Sequence, residues 1–326
     1  MSISTKEVDR QVDETEGRAR TLTGWQLKLV AAICFLWSLF QLWHASPFPF
    51  MTGFGILIDV PARAIHLGFA LLLVFMSFPY LKKNKHTKFN YFDFCLSVLA
   101  FFCTFYLFYN YEHLVEQNGV LVTHSINIFG SHLNFPTELI IGIVGILLLL
   151  EATRRAIGIP LVIVAIVFLL YSIFGQSMPE LISHQGLSLK RLVGYHWFGG
   201  EAIFGIPISV SVSFVFLFVL FGSMLDYAGG GRYFLNLALA LVGKFRGGPA
   251  KASILASGAT GMISGSSIAN VVTTGTFTIP IMKKTGFTSV KAGAIEVAAS
   301  VNGQIMPPIM GAAAFIMAEM LGITYI

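Results

Sequence analysis

The chain has 326 residues, 55% of them hydrophobic and 11% charged, with 30 Phe and a formal net charge of +5. A soluble domain carries about 25% charged residues, so this composition excludes a soluble enzyme or binding module and points to an all-α integral membrane protein, a bundle of several helical spans. The Lys and Arg residues fall mostly in short loops between apolar runs, so the positive balance reads as membrane topology, and no nucleic-acid partner is expected.

Residues 1 to 24 mix Lys6, Arg10, Arg18 and Arg20 with Glu7, Asp9, Asp13, Glu14 and Glu16. This pattern suits a disordered or loosely helical cytoplasmic tail, with no cleavable secretory signal. The first span is expected from Trp25 to Trp43, anchored by tryptophans near both ends. The loop from His44 to Val60 carries no Lys or Arg and should lie outside.

A second span follows from about Pro61 to Tyr80. The segment LKKNKHTK after it holds four lysines and belongs in the cytoplasm. The third span, Tyr91 to Tyr109, is aromatic throughout. The connection from Asn110 to Pro136 carries His113, His124 and His132 at spacings that match no usual zinc pattern, so these read as solvated external histidines. Cys34, Cys95 and Cys103 all sit inside apolar runs and read as inert buried thiols.

The fourth span runs from Glu138 to about Ala152, and Arg154 and Arg155 return the chain to the cytoplasm. Ile159 to Phe174 is the fifth, with Pro160 in its first turn where a missing N–H costs nothing. An amphipathic piece, LSLKRLVGYHWFGG, is expected to lie in the interface. The sixth span runs from Phe204 to Tyr227. Ser209, Ser211 and Ser213 at a spacing of two spread around its circumference and read as packing hydroxyls. A helix from Arg232 to Gly243 is too short to span and is expected along the membrane surface.

The informative stretch comes next. From Ala252 to Met282 there are 31 residues without Asp, Glu, Lys or Arg, and 14 of them are Gly, Ser or Thr. The run is long enough to cross a bilayer once, but its flanks are basic on both sides: Lys244, Arg246 and Lys251 before it, Lys283 and Lys284 after it. Positive charge at both ends places both on the cytoplasmic face. The resulting expectation is a re-entrant hairpin of two half-helices meeting near Ser266 to Asn270. Irregular backbone at that depth survives only when buried in protein or lining a watery cavity.

Beyond it, Thr288 to Ser300 reads as a helix that breaks at Asn302-Gly303-Gln304 and at Pro307-Pro308, because consecutive prolines remove backbone donors. Met310 to Leu321 resumes the helix. A hairpin tip facing an unwound helix centre is how transporter sites are built: half-helix N-termini face anions, and freed carbonyls and side-chain oxygens coordinate sodium. The same Gly and Ser residues, as in Gly261 to Gly265, also suit close helix packing.

Glu296 and Glu319 are acidic groups at membrane depth. Glu296 is open to a transport role or to pairing with a lysine. Asp59, Arg63 and His66 suggest a local ion pair, and Asp93 and Glu138 read as interfacial. No hydrolase, zinc-protease or Walker pattern is present, so no enzyme activity, catalytic residue or cofactor is expected.

The runs GGPAKASILASG, ISGSSIANVVTTGTFTIPIMKKTGF and AIEVAASVNGQIMPPIMGAAAFIMAEMLGI closely resemble the fused permease of tripartite ATP-independent periplasmic (TRAP) transporters, of the TAXI type. The likeness is specific over the last 80 residues and looser before residue 135. It implies an elevator-type ion transporter architecture: a four-helix small-subunit-like scaffold (25–155), scaffold helices of the transport subunit (156–246), and the first half of the transport domain (247–326). That last part divides into the hairpin 247–285 and the discontinuous helix 288–326.

Such a permease imports a small organic acid or amino acid across the bacterial inner membrane. A sodium or proton gradient drives it, and a periplasmic substrate-binding protein delivers the solute. The N-terminus would be cytoplasmic, with membrane lipid around the spans. By resemblance, the ion-binding residues are Ser264, Ser266, Ser267, Asn270 and Gly303, with sodium as coupling ion and no other metal. The substrate-binding set is Thr273, Thr274, Asn302, Gln304, Pro307 and Pro308. The second inverted repeat of that architecture has no counterpart here, so an N-terminal fragment is expected. The alternative reading is a structural or assembly membrane protein that transports nothing.

Overall fold

The computed structural model describes residues 19–57, 59–80, 88–116, 121, 124–128, 131–264, 267–306 and 310–324. The fold is helical, as the composition requires, because a backbone in lipid must satisfy its own hydrogen bonds. Among the described residues, four helices are long and apolar enough to cross a membrane: Trp25–Ala45, Val60–Ser77, Tyr91–Leu114 and Ile206–Leu225. By packing, residues 18–209 form one compact unit and residues 210–326 belong to another. The division falls within the last of those four helices.

In the first unit the order is α1 (Trp25–Ala45), α2 (Phe48–Thr52), α3 (Val60–Ser77) and α4 (Tyr91–Glu116). A two-stranded antiparallel ribbon follows, β1 (His124–Ile128) and β2 (Ser131–Phe135), then α5 (Thr137–Ala156), α6 (Ile159–Ile173) and α7 (Leu189–Val193). The ribbon is the one departure from an all-helical chain among the described residues. Pro160 sits in the first turn of α6, as expected. The fourth expected span extends to Ala156 and the third to Glu116.

Glycines let these helices approach closely. A Cβ on Gly145 of α5 would lie 2.3 Å from the Trp197 ring, and one on Gly142 would lie 2.3 Å from Val193. Leu192, Val193, Trp197 and Phe198 are buried there with Phe204 and Ile146. The amphipathic piece therefore turns its apolar side into the protein. It does so because Gly142 and Gly145 leave room on α5 for Val193 and the Trp197 ring.

Several polar side chains inside this unit are paired. Asp93, at the start of α4, accepts from Arg20 and from Arg155 Nη1 at 2.7 Å, and Arg155 Nε donates to Glu151 at 2.8 Å. Asp93 and Glu138, each in the first turn of its helix, are buried within the protein. Asp93 balances two guanidinium groups, one of them from the segment before α1. Gln26 exchanges two hydrogen bonds with the backbone of Phe89, at 3.0 and 3.3 Å. Trp37 Nε1 donates to His66 at 3.2 Å, and Gln41 also reaches His66. Asp59 and Arg63 pair one turn apart, as expected.

The chain continues through α8 (Ile206–Val210), at whose last residue the second unit begins, and a π-turn (Ser211–Val215) into α9 (Phe216–Tyr227). Gly229, at φ 91°, supplies a left-handed step before α10 (Gly230–Val242). Then come α11 (Gly248–Ser264), α12 (Ser267–Lys284), α13 (Ser289–Asn302), a 3-10 turn (Gly303–Ile305) and α14 (Ala312–Leu321). Leu235 and Ala238 of α10 pack on Ala252 and Ala256 of α11. Phe315 of α14 stacks against Phe214 and Phe218, at 5.5 and 5.4 Å between centroids.

Candidate functional site

The hairpin expected from the charge pattern is present. Helix α11, of 17 residues, ends at Ser264 and α12, of 18, begins at Ser267; Gly265 and Ser266 lie outside the described residues. Each arm is about 26 Å long at 1.5 Å per residue, which is longer than a half-span. The discontinuous helix is present too. α13 ends at Asn302, a 3-10 turn follows, and Met310 takes a left-handed φ of 59° before α14.

Three backbones converge below the turn. Asn270, one turn into α12, is fully buried, and its Nδ2 donates to Ser257 O at 2.8 Å and Ser257 Oγ at 3.0 Å. This one amide ties the arms together. One turn beyond Ser257, a Cβ on Gly261 would meet Gly303 Cα at 2.7 Å and Asn270 Nδ2 at 2.7 Å. Gly303 has an ordinary helical φ of −57°, so what the position demands is close approach. Gln304 Nε2 then donates to Ser267 Oγ at 3.1 Å, and Gln304 O accepts from Gly311 N at 2.6 Å. These bonds pin the unwound segment to the first turn of α12, where backbone N–H groups are left over for an anion or a lone pair.

A second polar group lies deeper in the same three helices. Glu296 of α13 is fully buried. Its Oε2 accepts from Ser253 Oγ at 2.6 Å and Thr278 Oγ1 at 2.5 Å, and its Oε1 from Thr274 Oγ1 and, at 3.5 Å, Ser300 Oγ. Ser300 Oγ reaches Ser257 Oγ at 3.0 Å, which joins this group to the Asn270 amide. Glu296 does not pair with a lysine: no ion pair among the described residues includes it, and Lys251, Lys283, Lys284 and Lys291 are all exposed. A buried carboxylate costs several kcal/mol to desolvate. Hydrogen bonds to a charged group return roughly 1.5–3 kcal/mol each, so hydroxyls rather than a cation surround it.

The structure brings together Ser267, Asn270, Gly303 and Gln304 around the hairpin crossing. Thr274 belongs to the Glu296 cluster, where it also donates toward Asn270 O at 2.7 Å. Asn302 is exposed, as is Glu319. Ser264 and Thr273 are helical, with side chains outside the described set, and Ser266, Pro307 and Pro308 lie outside the described residues. Sequence reasoning missed Ser253, Ser257, Thr278 and Ser300. The signal that could have found them is three polar pairs one turn apart on apolar helices: Ser253/Ser257, Thr274/Thr278 and Glu296/Ser300. Residues at i and i+4 share a helix face, so the three faces meet.

A helical membrane protein with a polar crossing and a buried carboxyl cluster inside a bent helical core is the class these features define. Residues 144–326, more than half of the chain, match the family model described as "Tripartite ATP-independent periplasmic transporter, DctM component". The chain belongs to that family. It is 28% identical over 166 residues to the C4-dicarboxylate TRAP transporter large permease protein DctM of Rhodobacter capsulatus, covering 51% of this chain and 33% of the relative. The protein of the same name from Vibrio cholerae is 29% identical over 168 residues, again covering 51% and 33%. The uncharacterized protein YgiK of Salmonella typhimurium is 32% identical over 153 residues, covering 47% of this chain and 32% of the relative. The chain thus spans about a third of the length of these relatives. No solved structure matches it.

Proposed function

We propose that the chain is part of the permease of a TAXI-type TRAP transporter. It would act as a secondary active importer of a small organic acid or amino acid, supplied by a periplasmic binding protein and driven by an ion gradient. It would sit in the bacterial inner membrane with its N-terminus in the cytoplasm. The observation that carries this reading is the crossing of Gly261, Asn270 and Gly303, closed by the Gln304–Ser267 bond, inside the region matched to the family.

In this reading the hairpin turn offers oxygens of Ser264, Ser266, Ser267 and Asn270, and the backbone at Gly303, to a sodium ion. The solute's carboxylate lies against the first turn of α12, Thr273 of the same helix, and the segment holding Asn302, Gln304, Pro307 and Pro308. Helix N-termini and freed carbonyls are the groups that hold anions and cations in such sites. Thr274 is withdrawn from the solute set because its hydroxyl is committed to Glu296 and Asn270 O. Residues 247–326 would move against the remaining helices in an elevator motion.

The test is uptake of labelled succinate or glutamate by the full-length gene product. It would be reconstituted in vesicles with its binding protein, under an inward sodium gradient, an inward proton gradient, or neither. Gradient-dependent uptake is expected, with Asn270→Ala removing it while membrane insertion is retained. Equal uptake by Asn270→Ala would overturn the assignment of the crossing. A non-transporting assembly role would show no gradient-driven uptake of either acid.

A further inference from the structure

The segment between α1 and α3 is apolar yet exposed. From Ala45 to Ile58 it reads ASPFPFMTGFGILI, with no Asp, Glu, Lys, Arg or His. In α2 and the turn after it Pro49 is buried. Phe50, however, is 71% exposed, Met51 76% and Phe54 76%, and Phe48 and Ile56 are exposed beside them. Protein surfaces scatter such side chains singly, whereas contiguous apolar patches mark sites of interaction. These side chains, close together in sequence, form a patch.

The patch is fixed to the end of α1. The Trp43 ring stacks on Phe48, with 6.2 Å between centroids and 18° between planes. Gly53 and Gly55 take left-handed φ values of 67° and 68°, open to glycine at little cost. They bring the turn back to Trp43, where a Cβ on Gly55 would lie 3.0 Å from Nε1. The apolar surface continues along α1, where Phe35, Leu36, Leu39 and Leu42 are exposed. The 21 residues of α1 reach about 31 Å at 1.5 Å per residue, close to the roughly 30 Å hydrocarbon thickness of a bilayer. A span of that length brings α2, separated from it by Ser46 and Pro47, to the level of the headgroups.

The polar groups of the segment bond to one another. Ser46 Oγ donates to Trp43 O at 2.8 Å and accepts from Phe48 N at 3.4 Å. Thr52 Oγ1 donates to Phe48 O at 2.8 Å and accepts from Phe54 N at 3.4 Å. Ser46 N donates to Leu42 O and Met51 N to Pro47 O, while Pro47 and Pro49 have no N–H to satisfy. A loop in water has no need of such closure, and one against lipid does. Composition separates lipid from a protein partner as well. Protein interfaces carry about one hydrogen bond per 100–200 Å² and are enriched in Arg. This patch offers aromatic rings and a methionine, with no charged side chain to bond across it.

We propose that Phe48 to Ile56 is a lipid-docking surface. It lies in the headgroup boundary of the leaflet at the C-terminal end of α1, with Phe50, Met51 and Phe54 in contact with acyl chains. Aromatic side chains are the ones that favour that level. The occupant is the same bilayer that α1 crosses. The buried Pro49 and the Trp43–Phe48 stack tie this anchor to the protein, so it holds the ends of α1 and α3 at one depth. The anchor is independent of the solute and of the coupling ion.

The test is electron paramagnetic resonance of the full-length protein in nanodiscs of phosphatidylethanolamine and phosphatidylglycerol. Cys34, Cys95 and Cys103 are replaced by alanine, and one nitroxide is attached through Met51→Cys or Phe54→Cys. A label on Leu39→Cys, on the exposed side of α1, is the reference. All three sites are exposed, so labels there leave the packing intact, and an unchanged unfolding midpoint checks this. At positions 51 and 54, oxygen should relax the label more than a water-soluble nickel chelate does. The depth should be about 5–10 Å inside the headgroup boundary, shallower than at position 39. Chelate collisions as frequent as for a nitroxide free in water would show that the patch meets solvent. Few collisions with either reagent, before or after the periplasmic binding protein is added, would show that protein covers it. Either result overturns the proposal. Failed uptake of succinate and glutamate would count against the transporter reading and leave the lipid contact in place.

Discussion

A Cβ placed on Gly261 would lie 2.7 Å from the Cα of Gly303, and one placed on Gly303 would lie 2.7 Å from the Cα of Gly261. The two backbones touch with no space for a methyl group. Gly261→Ala must therefore push α11 away from the turn after α13 or displace the Asn270 amide. Overpacking of this kind costs about 1–3 kcal/mol. Gly293→Ala on α13 is the control, since nothing lies within 4 Å of its Cβ position, and alanine there gains up to about 1 kcal/mol in helix propensity. Thermal unfolding in nanodiscs should show a lower midpoint for Gly261→Ala and an equal or higher one for Gly293→Ala.

Asp93 carries an arrangement that the sequence did not suggest. Its carboxylate balances Arg20 and the fully buried Arg155. Asp93→Asn leaves Glu151 as the carboxylate paired with Arg155, and breaking a buried pair costs about 3–5 kcal/mol. Asp59→Asn removes an ion pair whose acid is half exposed, worth about 0–1 kcal/mol. The two variants should separate clearly in unfolding midpoint, and added salt should weaken only the Asp59–Arg63 pair appreciably.

The seam between α5 and the segment after α7 depends on Gly145. A Cβ there would sit 2.3 Å from the Trp197 ring, and Trp197 is fully buried. Gly145→Ala and Trp197→Phe should each destabilise, the first by crowding and the second by lost volume. Combined, they should cost less than the sum, because the smaller ring vacates the space the methyl needs. A double-mutant cycle measures this coupling, and strict additivity would show that the indole is not what the methyl meets.

What could be read from the sequence follows from which signals are local. The spans were legible because apolar runs and basic loops are one-dimensional patterns. The hairpin was legible because a charge-free run from Ala252 to Met282 with basic ends has few ways to fold. Gly303 and Asn270 were legible as parts of a break and a turn. The role of Glu296 was not, because its four hydroxyl donors come from three helices and only their i, i+4 pairing hints at a shared face. The burial of Asp93 was hidden for the same reason: its partners lie 73 and 62 residues away. The packing partner of the segment holding Trp197 was not legible, because an amphipathic pattern does not say which element its apolar side meets.

Asn270 supplies the last prediction, one that separates hydrogen bonding from shape. Its Nδ2 donates to Ser257 O at 2.8 Å and to Ser257 Oγ at 3.0 Å. Asn270→Asp keeps the size of the side chain but turns that donor into an oxygen facing a carbonyl oxygen. A buried acceptor left without its donor costs about 1–3 kcal/mol, more when charge is added. The introduced carboxyl regains a single donor only when protonated, so its neutral form can serve Ser257 O again. Unfolding midpoints measured against the wild type should therefore show a deficit that is largest at alkaline pH and shrinks as pH falls. Asn270→Ala, which has no group to titrate, should show a deficit that does not shrink in this way. If both variants behave alike across pH, the amide at position 270 fills space between the arms, and its bonds to Ser257 are not what holds them.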